Sequence, residues 1–148
     1  MKKLVLLLIS VILCAASAVA KDDILILEPR NLPPLALKIL STYFPETQVV
    51  KVQKRDSKVK NSFELWLDNG VYMQFDNNGQ WMLVECQAIT ATVPEKMVDG
   101  RIRKYFMQYY PKAKVVKMLK DKKGNYEIYL AEGKVLYFDN QFKFKKAQ

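Results

Sequence analysis

The sequence predicts an α+β fold. Two tandem repeats are expected, each a helix followed by a four-stranded antiparallel meander. Side by side the two units would make an eight-stranded sheet, with the helices on one face and the other face open. Three observations carry this expectation. First, the stretch Phe63 to Trp81, FELWLDNGVYMQFDNNGQW, returns at Tyr126 to Phe144 as YEIYLAEGKVLYFDNQFKF, at a constant offset of 63 residues. Second, apolar residues alternate with period two on both sides of Gly70 and of Gly133, the signature of strands joined by a hairpin. Third, each of these stretches is preceded by a proline-bracketed segment with apolar residues at helical spacing.

Residues 1–20 read as a secretory signal peptide. Lys2-Lys3 form a basic start, Leu4 to Leu13 an apolar run, and Ala18-Val19-Ala20 a small-x-small cleavage site. The apolar run is too short for a membrane span. Leu13 stands before Cys14 where a lipoprotein signal has a small residue, so no lipid anchor is read. No later stretch is long and apolar enough to cross a bilayer. Residues 21–31 form an N-terminal lead. Its Ile24 to Leu27 is an edge strand or a loose tail, because Asp22-Asp23 and Pro29 flank it.

The first repeat is expected over 32–86. Leu32-Pro33-Pro34 opens a helix carrying Leu35, Ile39, Leu40 and Tyr43, and Pro45 stops it. Val49 to Gln53 is a strand with Val50 and Val52 inward, and Lys54 to Asn61 a polar loop. In the hairpin that follows, a two-residue turn would split the apolar sets Phe63-Leu65-Leu67 and Val71-Met73-Phe75. A three-residue loop, Asp68-Asn69-Gly70, pairs Leu65 with Met73 and Phe63 with Phe75, so that register is expected. Asn77-Asn78-Gly79 closes a further hairpin that sets Trp81 opposite Phe75. A linker, 87–92, leads to the second repeat, 93–148. Met97, Ile102, Tyr105, Phe106 and Tyr109 mark its helix, with Asp99 as a cap where Asp99-Gly100 breaks the segment. Val115 to Met118 restates Val49 to Val52, and Ala131-Glu132-Gly133 pairs Ile128 with Leu136 and Tyr126 with Phe138.

The parity that turns Leu65 and Ile128 inward turns another set outward: Glu64, Trp66, Tyr72, Gln74, Met82 and Val84, then Glu127, Tyr129, Val135 and Tyr137. A solvated face is mostly Lys, Glu, Thr and Ser. This one is half aromatic or aliphatic, and such patches contact something. Lys51 and Lys117 fall on it at equivalent sites. The candidate partner-binding residues are therefore Lys51, Trp66, Tyr72, Lys117, Tyr129 and Tyr137. Cross-strand stabilisation of an exposed sheet, or a homodimer using this face, would explain the aromatics as well.

The chain has 24 Lys and Arg, 15 Asp and Glu, no histidine, and a formal charge of +9; loss of Lys2 and Lys3 with the signal lowers it to +7. Export and the dispersed lysines argue against nucleic acid. The densest run, Lys112 to Lys123, is a solvated face or attracts an anionic partner. Without histidine, Ser-His, Cys-His and His-metal arrangements are excluded. Cys86 remains alone once Cys14 leaves, so no internal disulfide is expected. Asp76-Asn77-Asn78-Gly79 resembles the opening of a calcium loop, but its glycine is two positions early and Gln87 stands where the bidentate Glu belongs. A hairpin turn accounts for it. Glu64 and Glu127 could form a catalytic carboxylate pair, though each sits beside an outward aromatic in a different repeat. No cofactor, metal or catalytic residue is assigned.

The combination of Leu-Pro, a helix ending Tyr43-Phe44-Pro45, Val-Val-Lys-Val, and a Phe-x-Leu-x-Leu-x-x-Gly hairpin ending Phe-Asp-x-x-Gly-x-Trp resembles a known family. It is similar to the PepSY-like, beta-lactamase-inhibitor-like exported proteins of Gram-negative gut bacteria. The resemblance spans Leu32 to Phe144. Gln141-Phe142 departs from it, replacing Asn78-Gly79. It implies an architecture like that of a secreted beta-lactamase inhibitor that grips its enzyme with an open sheet face. The expected function is a periplasmic or secreted, non-catalytic binding or inhibitory module for a protein or peptide, with lysines that would steer an acidic partner. The alternative is a cell-envelope glycan or small-ligand binding protein or enzyme.

Overall fold

The computed structural model describes residues 23–56 and 61–148. The expected signal peptide lies outside the described residues. Helix α1 spans Pro34–Tyr43 with proline at its first position, where a missing N–H loses no bond. It ends at Phe44, whose N–H bonds the Leu40 carbonyl just before Pro45. Helix α2 spans Gly100–Tyr109, and the Asp99 side chain accepts from the Arg101 N–H at 2.9 Å to cap it. Upstream of that cap only a single 3-10 turn forms, Glu95–Met97.

The strands are β1 (Asp23–Leu27), β2 (Val49–Asp56), β3 (Asn61–Leu67), β4 (Val71–Phe75), β5 (Trp81–Cys86), β6 (Val115–Lys120), β7 (Tyr126–Leu130), β8 (Val135–Phe138) and β9 (Phe144–Ala147). They form one antiparallel sheet in sequential order from β1 to β9. Three-residue loops set the hairpin registers: Leu65 faces Met73, Phe63 faces Phe75, Ile128 faces Leu136 and Tyr126 faces Phe138. Gly70, Gly79, Gly124 and Gly133 take the positive φ that such loops demand.

The expected two tandem helix-plus-four-strand repeats are not the architecture. The described residues form a single nine-stranded sheet with two α-helices. β5 and β6 pair directly, Leu83 with Leu119, Val84 with Met118 and Glu85 with Lys117, so the two halves share one sheet. The lead adds a ninth strand, since β1 pairs along β2 from Asp23↔Asp56 to Leu27↔Val52. One continuous core also unites the halves. Ala36, Ile39, Leu40 and Phe44 from α1 and Ile102 and Phe106 from α2 bury with Leu65, Met73, Phe75, Val84, Met118, Ile128, Leu136 and Phe138. Both helices therefore cover the same sheet face.

Two face assignments also change. A bulge between Gln74 and Phe75 inserts Met82 opposite no partner. It keeps Trp81 opposite Phe75 but flips the parity beyond, so Val84 is fully buried and Leu83 and Glu85 turn outward. A second bulge between Val49 and Lys51 leaves Val50 exposed rather than inward. Strands β2 and β3 extend into the expected 54–61 loop, of which only 57–60 lie outside the described residues. Lastly, Phe142 occupies the left-handed position of the β8–β9 turn with φ of 64°, where the parallel turn has Gly79.

Candidate functional site: the outer face of the sheet

The registers arrange the outward side chains in two rows that cross the sheet. One runs Lys51, Trp66, Tyr72, Glu85, Lys117, Tyr129, Val135 across β2 to β8. The next runs Gln53, Glu64, Gln74, Leu83, Leu119, Glu127, Tyr137, Lys146 across β2 to β9. The fold thus brings Lys51, Trp66, Tyr72, Lys117 and Tyr129 into one row and places Tyr137 in the neighbouring one.

Three of the aromatics carry a lysine. Lys51 Nζ sits 4.8 Å from the Trp66 ring centroid, Lys117 Nζ 5.3 Å from Tyr129 and Lys146 Nζ 4.5 Å from Tyr137. These are cation–π distances. Lys117 also bridges to Glu85 at 3.0 Å. Trp66, Tyr129, Tyr137 and Lys117 are half-buried and Lys51 is exposed. The face therefore presents amphipathic rings with charge held above them.

Tyr72 differs. It is only 8% exposed, so the expectation that this half of the face is open fails there. Its ring lies 4.9 Å from that of Trp66, and its hydroxyl donates to Glu64 Oε1 at 3.0 Å and accepts from Gln74 Nε2 at 2.5 Å. Glu64 is the centre of this cluster. Its Oε2 accepts from Gln53 Nε2 at 2.6 Å and lies 3.4 Å from Arg55 Nη2. Burial pushes the Glu64 carboxyl up, but hydrogen bonds from Gln53, Tyr72 and Arg55 outweigh it and hold the carboxyl below its ordinary range. Burial, opposed by the Gln74 hydrogen bond and reinforced by the Glu64 charge, pushes the Tyr72 hydroxyl up to about 12. The cluster is an ionised acceptor surrounded by donors, a rigid backing for Trp66. Gln53 and Arg55 were missed as its members, although their alternation with Val52 puts them on this face.

Glu127 is in a different setting, accepting from the Tyr129 hydroxyl at 3.1 Å while half-buried. The two glutamates stand four strands apart in one row. At ~4.8 Å per strand that is about 19 Å, far beyond the roughly 5–9.5 Å that a glycosidase pair requires. The fold separates this pair.

A family model described as "Putative beta-lactamase-inhibitor-like, PepSY-like" matches residues 61–146, from β3 into β9. The chain is a PepSY-like protein. The matched region holds both rows except Lys51 and Gln53, which β2 supplies together with Arg55. A solved structure of a putative periplasmic protein of the DUF2874 family from Bacteroides vulgatus is similar to this PepSY-like chain. It shares 31% identity at a TM-score of 0.78 and covers 86% of this chain and 98% of its own. Another, a "putative calcium-regulated periplasmic protein" from Bacteroides thetaiotaomicron, shares 29% identity at a TM-score of 0.78, covering 85% and 97%. A second putative periplasmic protein from Bacteroides vulgatus, at 24% identity and a TM-score of 0.76, shows the same fold. No curated protein matches. Among the described residues no helix is long and apolar enough to cross a membrane.

Proposed function

We propose that this PepSY-like chain is exported to the periplasm as a non-catalytic binding module, with Lys21 its first residue after cleavage behind Ala20. The outer sheet face engages a protein or peptide. The observation that carries this reading is the repeated lysine-over-aromatic pairing at Trp66, Tyr129 and Tyr137 on one face. Half-exposed aromatics supply buried area to a partner, and the lysines attract acidic side chains and make association salt-sensitive. The periplasmic relatives and the family's description support the same reading. Tyr72 acts behind Trp66 rather than as an anchor.

One relative is described as calcium-regulated. In this chain the turn aspartates Asp76, Asp121 and Asp139 each accept two backbone N–H bonds at Oδ1. A cation at those oxygens would have to displace those bonds.

The test compares the mature protein with a Trp66→Ala, Tyr129→Ala double variant as baits in periplasmic extract. The variant should fold, and its affinity for the captured partner should fall by at least about thirtyfold, the hot-spot range. A folded variant that captures the same partner equally well would place the interface elsewhere. Elution of the wild type as a homodimer that the variant dissolves would assign the face to self-association.

A further inference from the structure

The sheet has two open edges, and they are built differently. At one end β9 is defended. It carries Lys145 and Lys146, all its residues are exposed, and a bulge breaks its register with β8 between Tyr137 and Phe138. Lysines and bulges are devices by which edge strands avoid pairing with another chain. At the other end β1 has neither. Its sequence DILIL contains no lysine and no proline, and it pairs with β2 in unbroken register from Asp23↔Asp56 to Leu27↔Val52. Because β1 is last in the strand order, no strand among the described residues takes up its outer hydrogen-bonding groups.

The side chains of this edge are unsheltered too. Ile24, Leu25 and Ile26 are 50%, 58% and 63% exposed. The register sets Ile24 beside Arg55 and Ile26 beside Gln53 on the outer face, and Leu25 beside Lys54 on the helix face. Three consecutive exposed branched apolar side chains on an open, regular edge are a template for another strand.

We infer that β1 pairs antiparallel with β1 of a second copy of this chain, about a two-fold axis at Leu25, giving one sheet continuous through both copies. A two-fold interface must be self-complementary, and β1 meets that condition in one register. With Leu25 against Leu25 of the second copy, Ile24 falls against Ile26 and Ile26 against Ile24. Each exposed apolar side chain then gains an apolar mate on its own face. A slip by two residues sets Leu25 against Asp23 one way and Ile24 against Glu28 the other. A slip by one sets outer-face residues against helix-face residues. The Glu28 carboxylate just beyond the strand does not oppose the approach, because it is already bridged to Arg30 at 2.8 Å. The same pairing of β9 would crowd lysines together. One short strand from each copy buries less than the roughly 1,200 Å² of a standard interface, so the dimer is weak and forms as concentration rises. It sets the outer faces of the two copies side by side and does not depend on what those faces bind.

Sedimentation equilibrium of the mature protein, from micromolar to millimolar concentration, is the first measurement. The mass should rise from monomer to dimer and stop there. Ile26→Lys, at an exposed site, should weaken the dimer at least about tenfold, since each copy loses an apolar contact and gains a gatekeeping charge. Trp66→Ala with Tyr129→Ala should leave it unchanged. Leu25→Cys reads the register. Directly opposed Cα atoms of an antiparallel pair lie about 4.5–5.5 Å apart, within disulfide range. Mild oxidation should therefore cross-link Leu25→Cys into a dimer, and Ile24→Cys or Ile26→Cys alone at least about tenfold more slowly. Wild type, with Cys86 half-buried, should not cross-link. A monomer at all concentrations would overturn the pairing, as would growth beyond a dimer, which would mean β1 meeting β9 of the next copy. So would a dimer that Trp66→Ala with Tyr129→Ala dissolves, one that Ile26→Lys leaves as tight as the wild type, or Leu25→Cys cross-linking no faster than Ile24→Cys.

Discussion

Replacing Glu64 by glutamine tests whether the outer face is organised by an ionised carboxylate. The side chain keeps its size, so the perturbation is electronic. In the native protein Glu64 accepts short bonds from Gln53 at 2.6 Å and Tyr72 at 3.0 Å and lies 3.4 Å from Arg55. Bonds to a charged acceptor contribute about 1.5–3 kcal/mol and neutral ones about 1. Two such bonds weaken by about 1 kcal/mol each. The new amide NH₂ must also face a donor, leaving one buried donor unmade at about 1–3 kcal/mol. Glu64→Gln should therefore destabilise by about 3–5 kcal/mol at neutral pH, read from urea unfolding. The pH dependence supplies the sign. Because the folded Glu64 titrates below its ordinary value of 4.5, its contribution is complete above that value and is lost as pH falls through the folded value. The gap between wild type and variant should narrow in acid. A gap below about 0.5 kcal/mol at pH 7, or one unchanged at pH 3, would refute the ionised hub.

Other consequences are as direct. Phe75→Ala and Phe138→Ala each empty a fully buried site and should cost about 3–5 kcal/mol, seen as a lower denaturation midpoint. At the strained turn, Phe142 stacks under Arg101 at 3.5 Å and near Tyr126 at 5.3 Å. Phe142→Gly and Phe142→Ala lose that packing alike, but only glycine relieves the left-handed φ, so Phe142→Gly should be the more stable by about 1 kcal/mol. Burial, with Glu85 adding, pushes the Cys86 thiol up to about 11 from 9.0. Native protein at pH 8 should therefore alkylate about a hundredfold more slowly than unfolded chain; equal rates would contradict the burial.

The hairpin registers were legible because one side of each strand must be buried. A single-residue slip would have exposed Leu65 and Met73 together, so the alternation around Gly70 left one pairing. The proline brackets and the Asp99 cap marked both helices for equally local reasons. The outward parity of Lys51, Trp66, Tyr129 and Tyr137 followed from the same alternation.

What lay beyond reach was whatever depends on a partner distant in sequence. Nothing local in Asp23 to Leu27 states that this stretch pairs along Val52 to Asp56, and that pairing adds a ninth strand to the sheet. Bulges defeat counting, because one extra residue at Met82 reverses the faces of Val84 and Glu85 without changing the composition. Likewise Glu64 and Tyr72 read as exposed face residues until Gln53, Arg55 and Gln74 closed around them. The sequence by itself determined local geometry, since backbone sterics and side-chain alternation act over a few residues. Only the tertiary structure decided the ninth strand and the burial of Glu64, because each arises where segments apart in the chain exclude water together.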